Sequence, residues 1–120
     1  MKKANILVCD DEAGVRDSLQ LILGQEYDLV YVENGAEAVR HVKTGKPNLV
    51  IMDIKMPRMN GLEALKRMKR LKPRLPVLII TGYESSDAAG EAIGLGADRY
   101  LVKPFERQAI LAQVRQLLKE

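Results

Sequence analysis

Four of the five apolar runs in this sequence are followed by polar residues that could carry out phosphate chemistry. Asp10 and Asp11 follow the first run, Asp53 the third, Thr81 the fourth and Lys103 the fifth. Carboxylates that lie close together repel one another unless a cation joins them. An all-oxygen cluster suits Mg²⁺, and a chain with one histidine and one cysteine lacks the ligands of a typical zinc site. These residues therefore predict a magnesium-dependent site for phosphoryl transfer.

The chemistry of each side chain predicts its role. A carboxylate can act as the nucleophile by forming an acyl phosphate, and Asp53 is the candidate because it is expected to lie centrally in the cluster. Asp11 and Asp53 are expected to hold the metal, while Asp10 holds a water on the metal or supports the coordination. Lys103 adds a positive charge and Thr81 a hydroxyl donor. Phosphoryl transfer requires little beyond such positioning and charge neutralisation.

The apolar runs also predict the elements that bring these residues together. The runs are short and rich in Val, Ile and Leu, and each is followed by a helical pattern, which is typical of parallel strands covered on both faces. The predicted strands cover residues 6–9, 29–32, 49–52, 77–80 and 100–102. In such a sheet, functional groups gather beyond the carboxyl ends of the strands. The polar residues are therefore expected to converge at one edge of the sheet.

The alternation of strands and helices predicts an α/β fold of the flavodoxin-like, three-layer type. Right-handed crossovers between five parallel strands give a doubly wound sheet. The second strand has no reactive residue at its end, which suits an edge position and favours the strand order 2-1-3-4-5. The first and third strands then meet at the switch point, where ligands bind in such folds.

Length and composition limit the other possibilities. The 120 residues predict a single domain, 1–120, and no apolar stretch approaches the roughly 20 residues needed to cross a bilayer. The single cysteine, Cys9, permits no internal disulfide and favours the cytoplasm. Basic residues crowd positions 66–74 but have no aromatic neighbours, so a solvated helix face is favoured over contact with nucleic acid. Neither a membrane nor a nucleic acid is expected as a partner.

Five short motifs in register resemble the receiver domains of response regulators in two-component signalling, over essentially the whole chain. The chain is similar to stand-alone sporulation-phosphorelay receivers and to receivers of the nitrogen-regulation type. The matching motifs are Asp10-Asp11-Glu12, Asp53 with Met56-Pro57 and Asn60-Gly61, Thr81-Gly82, Gly96-Ala97, and Lys103-Pro104-Phe105.

The resemblance implies a signalling phosphoacceptor rather than an enzyme. Asp53 would accept a phosphoryl group from a histidine kinase or a histidine phosphotransfer protein. Asp11, Asp53 and the backbone carbonyl of Lys55 would bind Mg²⁺. Thr81 and Tyr100 match the switch pair of the family, whose rearrangement alters the face formed by the fourth helix, fifth strand and fifth helix. The reader of that face would be a downstream effector protein or a tethered output domain.

Several alternatives stay open at this point. The rival function is a magnesium-dependent phosphatase with an aspartyl nucleophile, which would turn over many substrates where a receiver holds one phosphoryl group. Tyr100 could be a core residue, and Leu21 could lie at the core margin or on a docking surface. Lys55 could be a solvated loop residue, or could tune the phosphoryl lifetime together with Tyr83.

Two structural details are also predicted. The Lys103-Pro104 bond is expected to be cis, because the lysine must turn back toward Asp53 as the chain leaves the fifth strand. The fourth helix, predicted over residues 86–95, contains Gly90 and Gly94 and few large apolar residues. It is therefore expected to be the mobile element that carries the signal.

Overall fold

The computed structural model describes residues 3–54, 60–82 and 86–119, in which five strands alternate with five helices. The strands are β1 (Asn5–Cys9), β2 (Asp28–Val32), β3 (Leu49–Met52), β4 (Val77–Gly82) and β5 (Arg99–Lys103). The helices are α1 (Ala13–Leu23), α2 (Gly35–Thr44), α3 (Gly61–Leu71), α4 (Ser86–Gly94) and α5 (Arg107–Leu117).

All neighbouring strands pair in parallel, in the order β2-β1-β3-β4-β5, which confirms the predicted topology. The strands at the far side of the sheet run longer than the apolar pattern predicts. The ladder between β4 and β5 continues through Thr81 opposite Val102 and Gly82 opposite Lys103. Thr81 is therefore the penultimate residue of β4, and Lys103 is the last residue of β5. Backbone pairing between these strands fixes the positions of both Cα atoms.

The central strands separate two apolar layers, as the doubly wound prediction requires. Alternate residues of a strand point to opposite faces, so Ile6 and Val8 of β1 join one layer while Leu7 and Cys9 join the other. The first layer is completed by Leu19 and Leu23 of α1 and by Ile110 and Val114 of α5. The second is completed by Ala38 and Val42 of α2, Ala64, Leu65 and Met68 of α3, and Ala92 of α4.

The helix starts depend on two asparagines. The Asn34 side chain accepts a hydrogen bond from the Glu37 N–H, and that of Asn60 accepts one from the Glu63 N–H, each at 2.9 Å. Gly35, whose Glu33-Asn34-Gly35 context is typical of a turn, is consequently the first residue of α2.

The ends of α3 and α5 are less buried than their central turns. Leu71 ends α3 and is 45% exposed. Leu117 and Leu118 at the end of α5 are half-buried and pack against the apolar layer that α1 and α5 complete. Gly24 is the C-terminal cap of α1, and its N–H donates to the Gln20 carbonyl.

Candidate functional site

The carboxyl edge of the sheet brings together four of the side chains selected from the sequence. Asp10 follows β1 and Asp53 follows β3. The Asp53 N–H donates to the Cys9 carbonyl, which keeps the carboxyl ends of these two strands side by side. Asp10 and Asp53 are 0% and 5% exposed, and Thr81 of β4 is 1% exposed. A buried pair of carboxylates at the switch point requires a compensating positive charge.

Lys103 supplies that charge. Its Nζ lies 2.7 Å from Asp53 Oδ2, 2.9 Å from Glu12 Oε1 and 3.1 Å from Asp10 Oδ2. The bond between Lys103 and Pro104 is cis, which confirms the prediction. Burial alone would lower the pKa of Lys103, but hydrogen bonds to Asp53 and Glu12 and the charge of Asp10 raise it above its ordinary value. The ammonium therefore stays charged throughout the physiological range.

Asp10 is held firmly but is incompletely satisfied. Its Oδ1 accepts the Glu12 N–H at 2.9 Å, and its backbone carbonyl accepts the Arg16 guanidinium at 2.9 Å. Its Oδ2 is in ion-pair contact with Lys103 but makes no hydrogen bond with any described residue. Burial raises the pKa of Asp10, while the Glu12 N–H and Lys103 oppose that shift. An oxygen in this state is available to another cationic or hydrogen-bonding group.

Thr81 presents a second available group. Its Oγ1 is buried and has no hydrogen-bond partner among the residues that the structure describes. A buried hydroxyl left unsatisfied costs about 1–3 kcal/mol, so the Thr81 hydroxyl remains free to donate to a group that binds at this edge of the sheet.

The start of α3 closes tightly over the chain beyond Asp53. The Gly61 N–H donates to the Ile54 carbonyl at 2.8 Å. A Cβ at position 61 would lie 2.5 Å from the Ile54 Cα and 2.6 Å from the Asp53 carbonyl oxygen. Only glycine fits this approach. The Asn60-Gly61 motif therefore combines a helix cap with a close backbone contact beside the site.

The three acidic side chains that gather at the site are not quite those expected. Asp10, Glu12 and Asp53 each offer an oxygen within 4.8 Å of the other two. Among the described residues, these three form the acidic cluster that could hold a metal ion. Asp11 is exposed and lies outside that cluster, and Lys55 lies outside the described residues. Three carboxylates against one ammonium leave an excess of negative charge. The donor set therefore fits Mg²⁺, a hard cation that prefers oxygen ligands.

Two residues of the site received no role from the sequence, although Glu12 belongs to the Asp10-Asp11-Glu12 motif. Glu12 is the N-cap residue of α1, where its side chain pairs with Lys103. Arg16, one turn later, donates to Asp10 and lies 3.6 Å from Glu33. A third acid directly after Asp10-Asp11 was a usable signal for Glu12, whereas nothing in the sequence distinguished Arg16 from other surface arginines.

The structure places the remaining candidate residues at the surface. Tyr100 is 45% exposed on β5, so the core alternative for it is wrong. Leu21 is 77% exposed on α1, which excludes the core margin for it too. Tyr83 lies outside the described residues. A groove of about 500 Å³ runs between α1 and the chain after β5, lined by Gly14, Ser18 and Phe105 among others, and Glu12 and Lys103 connect it to the acidic cluster.

Known proteins resemble this chain in both sequence and structure. Residues 6–115 match the family model described as "Response regulator receiver domain". The response regulator MprA of Mycobacterium sp. (strain KMS) is 36% identical over 115 residues, which are 95% of this chain and 50% of that protein. The chain thus spans about half the length of the curated relatives it matches.

Two solved structures extend the comparison to the fold. A CheY-like receiver domain protein from Methanospirillum hungatei JF-1 has a TM-score of 0.92 and 28% identity, covering 98% of this chain and 95% of that one. NtrX from Brucella abortus has a TM-score of 0.90 and 32% identity, covering 98% of this chain and 27% of that one.

The phosphatase alternative gains no support from these matches. None of the helices in the described part of the chain has the length and hydrophobicity of a membrane span. The chain belongs to the response regulator receiver domain family, the signalling domain of two-component systems.

Proposed function

We propose that Asp53 is the phosphoacceptor of this receiver domain and that a histidine kinase or a histidine phosphotransfer protein is its donor. The observation that carries the proposal is the contact of 2.7 Å between the Lys103 ammonium and the buried Asp53 carboxylate. This contact orients the carboxylate and places a fixed positive charge beside it. Phosphoryl transfer depends mainly on such positioning and charge neutralisation.

In the proposed reaction, a carboxylate oxygen of Asp53 forms a bond to phosphorus as the bond between phosphorus and the donor's histidine nitrogen breaks. The electron pair of that bond stays on the departing imidazole. Lys103 neutralises negative charge on the phosphoryl oxygens, and the unpartnered Thr81 Oγ1 donates a hydrogen bond to one of them. The product is an acyl phosphate on Asp53.

Magnesium is the proposed cofactor, with Asp10, Asp11, Asp53 and the backbone carbonyl of Lys55 as candidate ligands. The gathered oxygens of Asp10, Glu12 and Asp53 support a cation at this edge of the sheet. When bound, Mg²⁺ would neutralise charge on the incoming phosphoryl oxygens. Lys103 contacts all three clustered carboxylates. A cation that binds there would therefore contact carboxylates that already pair with Lys103.

The proposed output is a change in the face formed by α4, β5 and α5. Thr81 would move toward a phosphorylated Asp53, and Tyr100, half-exposed on β5, would follow as the second member of the switch pair. A downstream effector or a tethered output domain would read the change. The proposal treats residues 1–120 as one receiver domain that acts in the cytoplasm as a signalling phosphoacceptor and not as a turnover enzyme.

The test is phosphorylation by a small donor, acetyl phosphate, followed by mass measurement of the intact protein. The wild-type chain should gain one phosphoryl group in the presence of Mg²⁺ and none after chelation. Asp53→Ala should gain none. Asp28→Ala, which removes an exposed aspartate on β2, is the matched control and should behave as the wild type.

Two outcomes would contradict the proposal. Modification of Asp53→Ala at the same yield would place the acceptor elsewhere. Release of many phosphates per chain from excess donor, in place of slow hydrolysis of one, would instead favour the phosphatase.

A further inference from the structure

The basic residues at positions 66–74 differ in their contacts. Lys69 donates to the Leu75 carbonyl at 2.7 Å and to Asp98 at 3.0 Å, and Lys72 donates to the Gly45 carbonyl at 2.9 Å. These two lysines hold neighbouring chain segments together. The remaining cations of the cluster need a different explanation.

Lys66 and Arg70 of α3 point with Lys43 of α2 into a groove of about 360 Å³ between the two helices. All three are exposed, and none makes an ion pair with a residue in the described ranges. Glu63, the one acid among the described residues that line the groove, is already paired with Arg67 at 3.4 Å. The groove therefore presents unopposed positive charge.

The same groove has apolar walls. Val39 of α2 is half-buried, and Leu71 at the end of α3 is 45% exposed. A merely solvated helix face would have no need of a concave apolar surface among its lysines. An apolar groove with a basic rim matches the apolar face and acidic flanks of an amphipathic helix, a recurrent mode of peptide recognition.

We propose that this α2–α3 groove is a docking site for an acidic amphipathic segment of a partner protein. Nucleic acid fits less well, since neither α2 nor α3 contains Phe, Tyr or Trp on which a base could stack, and His41 of α2 is not among the described residues that line the groove. Leu71 offers nothing to a phosphate. None of the residues that line the groove belongs to the acidic cluster or to its contacts. A bound segment would therefore leave Asp53 accessible to its phosphodonor.

The probe is a synthetic peptide of about 15 residues with leucines at i, i+3, i+4 and i+7 and glutamates elsewhere, carrying a fluorescent label. Binding is followed by fluorescence anisotropy at about 0.15 M salt. The double variant Lys66→Glu, Arg70→Glu should weaken binding at least about tenfold. Leu71→Ser should weaken it as well, because it removes an apolar contact without changing charge.

The matched control is Arg99→Glu, Arg107→Glu, which changes the net charge equally at exposed positions outside the groove. It should alter the affinity less than about twofold, which is less than 0.5 kcal/mol. Circular dichroism checks that each variant is folded. Amide chemical shifts of the wild-type chain should change on peptide addition at α2 and α3.

Three results would overturn the docking site. Equal weakening by the two double variants would show attraction to net charge alone. Equal binding of a scrambled peptide with the same glutamates would show that the apolar walls play no part. Binding of a short DNA duplex as tight as that of the peptide, with the same dependence on Lys66 and Arg70, would assign the groove to nucleic acid.

Discussion

Among single residues, Asp10 carries the clearest electrostatic cost. Its carboxylate is fully buried, and burial raises its pKa above the ordinary value of 3.8. Between 3.8 and that raised value, the folded protein binds more protons than the unfolded protein does. The folded state therefore loses stability as the pH rises through this window, and the loss persists at neutral pH.

Replacing this carboxylate by its neutral isostere should stabilise the fold at neutral pH. We expect Asp10→Asn to raise the free energy of unfolding at pH 7, and the gain to shrink as the pH falls and Asp10 becomes protonated. Urea unfolding at several pH values measures both effects. Asp28→Asn, at an exposed position, serves as the control and should change little. A gain from Asp10→Asn that grows on acidification would show that the buried charge is not the cause.

The sequence predicted those site residues that lie at or directly after the end of a strand. Asp10, Asp53 and Lys103 were found because strand ends of a parallel sheet converge, and the structure does bring them together. Glu12 and Arg16 were missed because they start a helix, and the direction of such side chains depends on how the helix packs. The metal ligand role of Asp11 and the switch role of Tyr100 stay predictions.

Among the elements, α4 has the weakest support. Ala92 is buried, but Ile93 is 43% exposed, so the largest apolar side chain of the helix contributes little burial. Gly90 lies in the middle of the helix and costs about 1 kcal/mol relative to alanine. A Cβ built at Gly90 meets nothing within 4 Å, so no packing contact explains the glycine. Both the low stability and the motion of α4 stay predictions.

Hydrogen exchange tests whether α4 is the mobile element. Its amides should exchange faster than those of α5, and phosphorylation should change their protection most. Gly90→Ala should slow exchange in α4 by up to about fivefold, since a gain of about 1 kcal/mol in local stability has that effect. Gly14→Ala in α1, where a Cβ also meets nothing within 4 Å, is the matched control and should leave α4 unchanged. Protection of α4 equal to that of α5, with no response to phosphorylation, would contradict this role.

The Asp98 side chain connects α3 and β4 to the start of β5. Asp98 Oδ2 accepts the Val77 N–H at 2.8 Å and the Lys69 ammonium at 3.0 Å. Val77 is fully buried, so its N–H would lose its side-chain partner in Asp98→Ala. We expect a loss of about 1–3 kcal/mol in the free energy of unfolding, measured by urea denaturation, against little change in Asp28→Ala. Equal stability of the two variants would mean that water replaces the Asp98 contact.

For the whole molecule, the sequence predicted topology better than the ends of its elements. Apolar runs identify all five strands, and the second run, which ends in no reactive residue, was correctly expected at an edge of the sheet. The runs could not show that β4 and β5 continue through Thr81 and Lys103, because polar residues can pair in a ladder as well as apolar ones. The Glu33-Asn34-Gly35 segment is typical of a turn, and only the contact of the Asn34 side chain with the Glu37 N–H shows that Gly35 begins α2.

The α2–α3 groove shows a further limit of sequence reasoning. The basic residues of α3 are visible in the sequence as one cluster. Their division into lysines that hold the chain together and cations that border a groove depends on contacts with Asp98, Gly45 and α2, which are distant in sequence.

The central claim is that Asp53 carries the phosphoryl group as an acyl phosphate, and reductive trapping tests it most directly. Borohydride reduces an acyl phosphate to an alcohol but leaves a free carboxylate unchanged, so a phosphorylated Asp53 side chain becomes that of homoserine. Peptide mass spectrometry of the protein treated with acetyl phosphate, Mg²⁺ and borohydride should locate this change at position 53 alone, and omission of Mg²⁺ should abolish it. An unreduced Asp53 in protein that has gained a phosphoryl group, or reduction at another carboxylate, would contradict the account.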